Sequence, residues 1–242
     1  MRHFALIGRR LGHSFSRQYF SDKFHNEAID ASYALIELDD ISAIRAIIKG
    51  DCDLCGLNVT IPYKESILPY LDEVSTEAAE IGAVNCIVIK NGRTTGYNTD
   101  IEGISATLDR LDIASDTKAL ILGTGGASKA VAYVLRQREI PYHIVSRNAC
   151  RGDITYADLS TEDISEHRLI INTTPLGMYP DVGSCPAIDY TAIGSSHKIF
   201  DLVYNPEPTL FMKRCSTQGA ETIGGRLMLH IQAEASWRIW QE

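Results

Sequence analysis

Lys64 and Asp100 are the residues of this chain best suited to acid–base work. An ammonium can give a proton to a developing alkoxide and a carboxylate can hold the resulting hydroxyl, which is what hydride transfer to a ketone requires. Each stands in a polar cluster: Asn58-Val59-Thr60-Ile61-Pro62-Tyr63-Lys64, and Asn98-Thr99-Asp100 with Asn85 on the partner strand of a hairpin. Ser14 and Ser16 flank a single residue, so both hydroxyls can donate to one carboxylate. Taken singly, Lys64 reads as a solvated lysine, and Asp100, Ser14 and Ser16 as helix caps. Their number is the argument for a site.

A second kind of chemistry is written in Gly123-Thr124-Gly125-Gly126-Ala127-Ser128, which follows an apolar run and opens an amphipathic one. Gly123 suits a tight turn, and Gly125 lets the backbone approach a pyrophosphate lying on the N–H groups of a helix N-terminus. Small residues at 127, 128 and 130 allow close helix–sheet packing. The pattern is GxGxxS rather than GxGxxG, and the bland alternative is a glycine-rich turn with no ligand. An NAD site would carry Asp or Glu about 20 residues further on. Here the chain reads Ser146-Arg147-Asn148, with Arg151 beyond. Guanidinium groups suit a 2′-phosphate that a carboxylate would repel, which favours NADP over two merely solvated arginines.

The elements that must position these groups follow from periodicity. Strands are expected at Phe4–Gly8, Tyr33–Leu38 and Leu54–Val59, and a hairpin at Val84–Lys90 and Arg93–Tyr97 turning on Asn91-Gly92. Helices are expected at about 16–30, at Ile41–Lys49 capped by Asp39 or Asp40, and at Ile101–Asp112. Pro62 reads as a helix start that would aim Lys64 across the sheet edge. From Lys118 onward, strands at Ala119–Leu122, Tyr142–Val145, Leu169–Asn172 and Ile199–Val203 alternate with longer stretches, including a helix at Ser128–Arg138. That alternation predicts parallel βαβ units, and two α/β lobes meeting near residues 98–104. Arg226–Trp240 is a terminal helix, and periodicity alone leaves its docking open.

Composition bounds the partners. The 242 residues are 45% hydrophobic and 22% charged, ordinary for a globular chain and compatible with one large or two small domains. A net charge of −8 argues against nucleic acid or anionic lipid held mainly by charge. Phe4-Ala5-Leu6-Ile7 is too short for a signal-peptide core and no run is long enough to span a bilayer, so a cytoplasmic location is expected. The six cysteines then read as reduced thiols, Cys52-Asp53-Leu54-Cys55 as small buried side chains leading into a strand rather than a zinc or redox pair. No metal is expected, since none of the seven histidines forms a ligand-like pair.

At this point the motifs carry a family resemblance. Ser14-Phe-Ser16, Asn58-Val-Thr60-Ile-Pro62-Tyr-Lys64, Gly82-Ala-Val-Asn85, Asn98-Thr-Asp100 and Gly123-Thr-Gly-Gly-Ala127 occur in the order found in shikimate dehydrogenases. Asn172-Thr-Thr-Pro-Leu-Gly-Met178, Asp201-Leu-Val-Tyr204-Asn-Pro206 and Gly225-Arg-Leu-Met228-Leu-His-Ile-Gln232-Ala233 continue it, so the similarity runs from about residue 5 to 240. It implies NADPH-dependent reduction of 3-dehydroshikimate to shikimate, on the way to aromatic amino acids. Ser14 and Ser16 would bind the carboxylate; Thr60, Asn85, Asp100 and Gln232 would contact ring hydroxyls. Lys64 would be the acid–base residue, paired with Asp100, and Tyr204 would lie near the substrate. Leu202 and Gly225 would lie near the nicotinamide, Gly123, Thr124, Gly125, Gly126 and Ala127 at the cofactor phosphates, and Ser146, Arg147 and Arg151 at the 2′-phosphate.

The fold implied is α/β in two lobes, with 1–100 plus 226–242 as the substrate-binding domain and 101–225 as a Rossmann-like NADP-binding domain. The terminal helix would return to the first lobe. The expected partner is a small molecule, bound by a monomer or homodimer. Arg17 stands where the family usually has proline, Ser146-Arg147-Asn148 where it has Asn-Arg-Thr, and Thr76 where many members are acidic; the chain is also short after residue 148. An NAD-using quinate/shikimate dehydrogenase and a non-catalytic module that kept the pocket are the alternatives. Intact Lys64 and Asp100 argue against the second.

Overall fold

The computed structural model describes residues 1–12 and 14–242; His13, inside the Gly12–Ser16 cluster, lies outside the described residues. The chain divides into two units, Met1–Thr99 with Ala233–Glu242, and Asp100–Gln232.

The first unit holds β1 (Arg2–Gly8), α1 (Phe15–Asn26), β2 (Ala31–Glu37), α2 (Ile44–Gly50), β3 (Leu54–Val59), β4 (Glu73–Val74), α3 (Thr76–Ile81), β5 (Cys86–Lys90) and β6 (Arg93–Tyr97). Its sheet has the order β2-β1-β3-β5-β6-β4. β1 pairs in parallel with β2 and β3, whereas β5 runs antiparallel to both β3 and β6. Alternate residues of β1 serve opposite faces, as the two-residue period of a strand requires. Ala5 and Ile7 pack with Ile44 of α2 and Ala78 of α3; Phe4 and Leu6 pack with Phe20 and Phe24 of α1 and with Ala233 and Trp240. The docking that periodicity left open is therefore on this sheet, for the end of the chain at least. The hairpin turns on Asn91 and Gly92 at φ of 53° and 75°, the left-handed pair its dipeptide favours.

The second unit holds α4 (Asp100–Leu108), β7 (Ala119–Leu122), α5 (Gly126–Gln137), β8 (Tyr142–Ser146), β9 (Ile154–Thr155), α6 (Thr161–Glu166), β10 (Leu169–Asn172), β11 (Lys198–Asp201), α7 (Leu210–Thr217) and β12 (Glu221–Ile223). The last helix, α8 (Arg226–Gln241), contributes its first seven residues here, because the unit boundary falls at Gln232. The sheet is wholly parallel, in the order β12-β11-β10-β7-β8-β9. All four residues of β7 and of β10 are buried, the signature of strands covered on both faces. No described helix is long and apolar enough to cross a membrane.

Several local expectations are corrected. Pro62 does not open a helix: residues 61–67 form turns before a single 3₁₀ turn at Leu68–Tyr70. The Lys64 carbonyl accepts from Val84 N–H at 2.8 Å, so it is withdrawn from the bond a helix would need. The first helix stops at Asn26, because Ala28 adopts a left-handed φ of 51°. Asp40, not Asp39, caps the turn at Ile41–Ala43, accepting from Ser42 N–H, and α2 proper begins only at Ile44. Cys52 is exposed and Cys55 half-buried, so neither is the buried side chain expected; all six cysteines are free thiols.

Candidate functional site

The topology of the first sheet gathers the polar motifs at one edge. β1, β2 and β3 are parallel, and β6, two antiparallel steps from β3, points the same way. Ser14 and Ser16 follow β1, Thr60 and Lys64 follow β3, and Asn98 and Thr99 follow β6. Asn85 precedes the antiparallel β5 and so stands at the same edge, where its carbonyl accepts from Val59 N–H at 2.9 Å. Carboxyl ends of parallel strands are where open α/β sheets bind ligands. Ser14 occupies the N-cap position of α1, yet its hydroxyl makes no capping bond among the described residues. Lys64 is half-buried, and Ser16 and Asn85 are buried.

Behind this edge lies a buried hydrogen-bond network. Tyr33 OH donates to Asn58 Oδ1 at 2.8 Å, and Asn58 Nδ2 donates to Ser236 Oγ at 2.9 Å and to the Asn85 carbonyl at 3.2 Å. Ser236 Oγ meets Thr99 Oγ1 at 3.1 Å, and Asn85 Oδ1 accepts from Thr99 N–H at 2.7 Å. Burial pushes the Tyr33 hydroxyl well above the usual phenol range, so it remains a donor; the nearby Ser16 hydroxyl opposes that shift. Tyr33 and Ser236 carried no sequence signal, because single polar residues in apolar-periodic stretches read as core.

In the second unit, the loop after β7 shows two different uses of glycine. Gly123 has φ of 115°, and a β-carbon there would lie 2.7 Å from Thr173 Oγ1. At Gly125, the N-cap of α5, a β-carbon would meet nothing within 4 Å. The protein's own packing demands the first glycine but not the second. Close approach of a phosphate to the backbone would demand it, and so Gly125, Gly126 and Ala127 at the start of a 12-residue helix fit a dinucleotide's pyrophosphate. Arg151 Nη2 donates to the Thr124 carbonyl at 3.3 Å, which ties the arginine segment after β8 to the glycine turn. Ser146 is buried and its Oγ accepts from Asn148 N–H at 3.1 Å; Arg147 is exposed.

At the other side of β7 the strand ends are locked by Asp201. Its carboxylate accepts from Asn172 Nδ2 at 2.9 Å, Val203 N–H at 3.1 Å and Thr209 Oγ1 at 2.6 Å. Burial raises its pKa to about 6. This fixes the start of the 202–206 loop that bears Leu202 and Tyr204. Gly225 lies against it so closely that a β-carbon would sit 2.1 Å from the Leu202 carbonyl. Asp100 opens α4 and is buried, and Gln232 on α8 is buried with Nε2 donating to the Leu229 carbonyl at 3.0 Å.

The sequence profile of the shikimate dehydrogenase substrate binding domain matches residues 6–87. A shikimate dehydrogenase (NADP(+)) of Methanococcus maripaludis is 38% identical, covering 98% of this chain and 90% of the relative. The chain belongs to the shikimate dehydrogenase family. Among solved structures, the Thermus thermophilus shikimate dehydrogenase in complex with NADP(H) and shikimate superposes with a TM-score of 0.88 at 30% identity, covering 99% and 93% of the two chains. A quinate dehydrogenase from Corynebacterium glutamicum, in complex with NAD, has a TM-score of 0.88 at 27% identity, with the same coverage. Shikimate dehydrogenase neighbours thus share both the α/β first unit and the Rossmann-like second one.

Away from these strand ends, His3, Asp51 and Asp53 bring their ligating atoms within 4.8 Å of one another at the opposite edge of β1 and β3. His3 Nδ1 and Asp51 Oδ2 already pair at 2.8 Å, and Cys55 Sγ donates to the Asp53 carbonyl at 3.3 Å. The pair holds Asp51 below the usual carboxylate range, chiefly through the hydrogen bond from His3.

Proposed function

We propose that this chain is an oxidoreductase that interconverts 3-dehydroshikimate and shikimate with NADP(H), in the pathway to aromatic amino acids. Membership of the shikimate dehydrogenase family supports the substrate. The observation that carries the cofactor is the pairing of an unfilled Gly125 with Arg151 hydrogen-bonded to Thr124. When bound, the cofactor supplies the hydride at C4 of its nicotinamide.

The residues divide the remaining work. Ser14 and Ser16 bind the substrate carboxylate as hydroxyl donors. Thr60, Asn85, Asp100 and Gln232 hold ring hydroxyls, and Tyr204 bounds the substrate. Lys64 gives its proton to the carbonyl oxygen as negative charge develops there, and takes it back in the reverse direction. Asp100 is the carboxylate that pairs with Lys64 in this reading. Gly123, Thr124, Gly125, Gly126 and Ala127 take the pyrophosphate, Ser146, Arg147 and Arg151 the 2′-phosphate, and Leu202 and Gly225 the nicotinamide. In domain terms, 1–100 plus 226–242 bind substrate and 101–225 bind NADP. Arginine is the apt residue at the 2′-phosphate, since its fork matches phosphate oxygens and stays charged.

Initial rates with shikimate or quinate, each against NADP or NAD, test the reading. Shikimate with NADP gives the highest kcat/KM, and replacing Arg147 and Arg151 by glutamine lowers kcat/KM for NADP by about ten- to a hundredfold while sparing NAD. Equal kcat/KM for the two cofactors would overturn the arginine assignment. Quinate turning over faster than shikimate would place the chain with the NAD-bound quinate dehydrogenase in substrate as well.

A further inference from the structure

The buried network behind the first sheet has a fixed direction at its Tyr33 end. The Asn85 carbonyl can only accept, so the Asn58 amide must turn its Nδ2 toward it and its Oδ1 toward Tyr33. Tyr33 therefore donates. The other Asn58 N–H goes to Ser236 Oγ, which accepts at 2.9 Å and in turn shares a hydrogen bond with Thr99 Oγ1 at 3.1 Å. Thr99 Oγ1 accepts from Asn85 Nδ2 at 3.0 Å and lies 3.2 Å from Asn85 Oδ1. The orientation of the Asn85 amide is independently set by Thr99 N–H, which can only donate to an oxygen. Tyr33 and Asn58 thus donate toward Ser236, and Ser236 and Thr99 join that end of the network to the Asn85 amide.

From this we infer that Ser236 is a positioning residue of the substrate site: it bridges Asn58 to Thr99 and so holds the Thr99 hydroxyl against the Asn85 amide, whose orientation Thr99 N–H fixes. The inference rests on the reading above that Asn85 holds a substrate hydroxyl. It also separates Asn58 from the ligand-contacting residues of its own motif, since both its N–H donors are committed inside the protein. Bonds in such a series polarise one another, so loss of one link is felt at the end. Ser236 is fully buried on α8 at 0% exposure, where a small apolar residue would otherwise be the expected occupant. Its side chain also faces the Cys86 thiol, which burial keeps protonated with a pKa pushed up to about 12.

The test uses the full chain carrying Ser236→Ala, Tyr33→Phe, and both. In the single Ser236→Ala variant the KM for shikimate rises by about five- to fiftyfold with the KM for NADP unchanged, as expected for a chain left one link short. The Tyr33→Phe change, which removes the donor to Asn58 and also the partner of the Ser16 hydroxyl, shifts shikimate KM in the same direction, and the double variant is less than multiplicative. The side-chain amide protons of Asn85, read by nitrogen-edited NMR, move in both single variants. An unchanged shikimate KM, fully multiplicative effects, or unmoved Asn85 signals would each overturn the relay. Should wild-type protein leave shikimate unoxidised, the substrate reading falls, and the Asn85 signals alone decide for or against the chain.

Discussion

Trp240 lies on Gly56 so closely that a β-carbon at 56 would stand 2.3 Å from the indole Nε1. The same Nε1–H donates to the Ile87 carbonyl at 3.0 Å, and the ring stacks on Phe4 with centroids 4.6 Å apart. The end of α8 is thereby keyed into the first sheet by a glycine that leaves room and a carbonyl that takes the donor. Replacing Gly56 by alanine pushes a methyl into an interior already filled. The expected destabilisation is about 1–3 kcal/mol, as for other overpacked cores. Urea unfolding measures it, and an unchanged midpoint would mean that the indole is not held against the strand.

Gly125 should behave in the opposite way. Its φ of −88° suits alanine and a β-carbon meets nothing there, so Gly125→Ala folds with wild-type stability. Affinity for NADP nevertheless falls by about tenfold or more, about 1.4 kcal/mol, because the methyl occupies the space a pyrophosphate needs. Calorimetric titration with NADP reads this directly. Undiminished affinity in a well-folded variant would remove the glycine turn from the cofactor site.

Asp201 makes stability depend on pH in a particular direction. Its pKa of about 6 in the folded chain lies above the ordinary carboxylate value of 3.8, because burial disfavours the ionised form. The folded state therefore binds more protons between those two values, and stability from this group falls as pH rises through about 4 to 6. Asp201→Asn keeps the shape and cannot titrate. Wild type should gain about 3 kcal/mol relative to the variant as the pH is lowered through that window. Parallel stability profiles for the two proteins would show that Asp201 stays ionised throughout.

The parts of this molecule legible in its sequence are those where many residues repeat one constraint. The four-residue apolar runs of β7 and β10 and the Asn91-Gly92 hairpin were readable because burial on both faces, or a left-handed turn, restricts residue type strongly. The short elements α3, α6 and α7 span too few residues for periodicity, although the Ser160–Asp163 capping box was a signal available for α6. The same holds for the two- and three-residue strands β4, β9 and β12, whose pairing comes from the sheet rather than from their own pattern. In the candidate site, Lys64, Asp100 and the glycine turn announced themselves by type and spacing. Ser236, Tyr33 and Thr209 did not, since a hydroxyl's role depends on a partner distant in sequence. The turns after β3 are not legible locally, because the Val84 N–H that donates to the Lys64 carbonyl lies twenty residues away.

Turnover by Lys64→Ala, measured beside wild type with 3-dehydroshikimate and NADPH, tests the role of Lys64 most directly. Wild type should turn over, and the variant should lose about a hundred- to ten-thousandfold in kcat while holding shikimate within about tenfold of wild-type affinity. Lys64→Ala with near-normal kcat would contradict the assignment of the proton to Lys64.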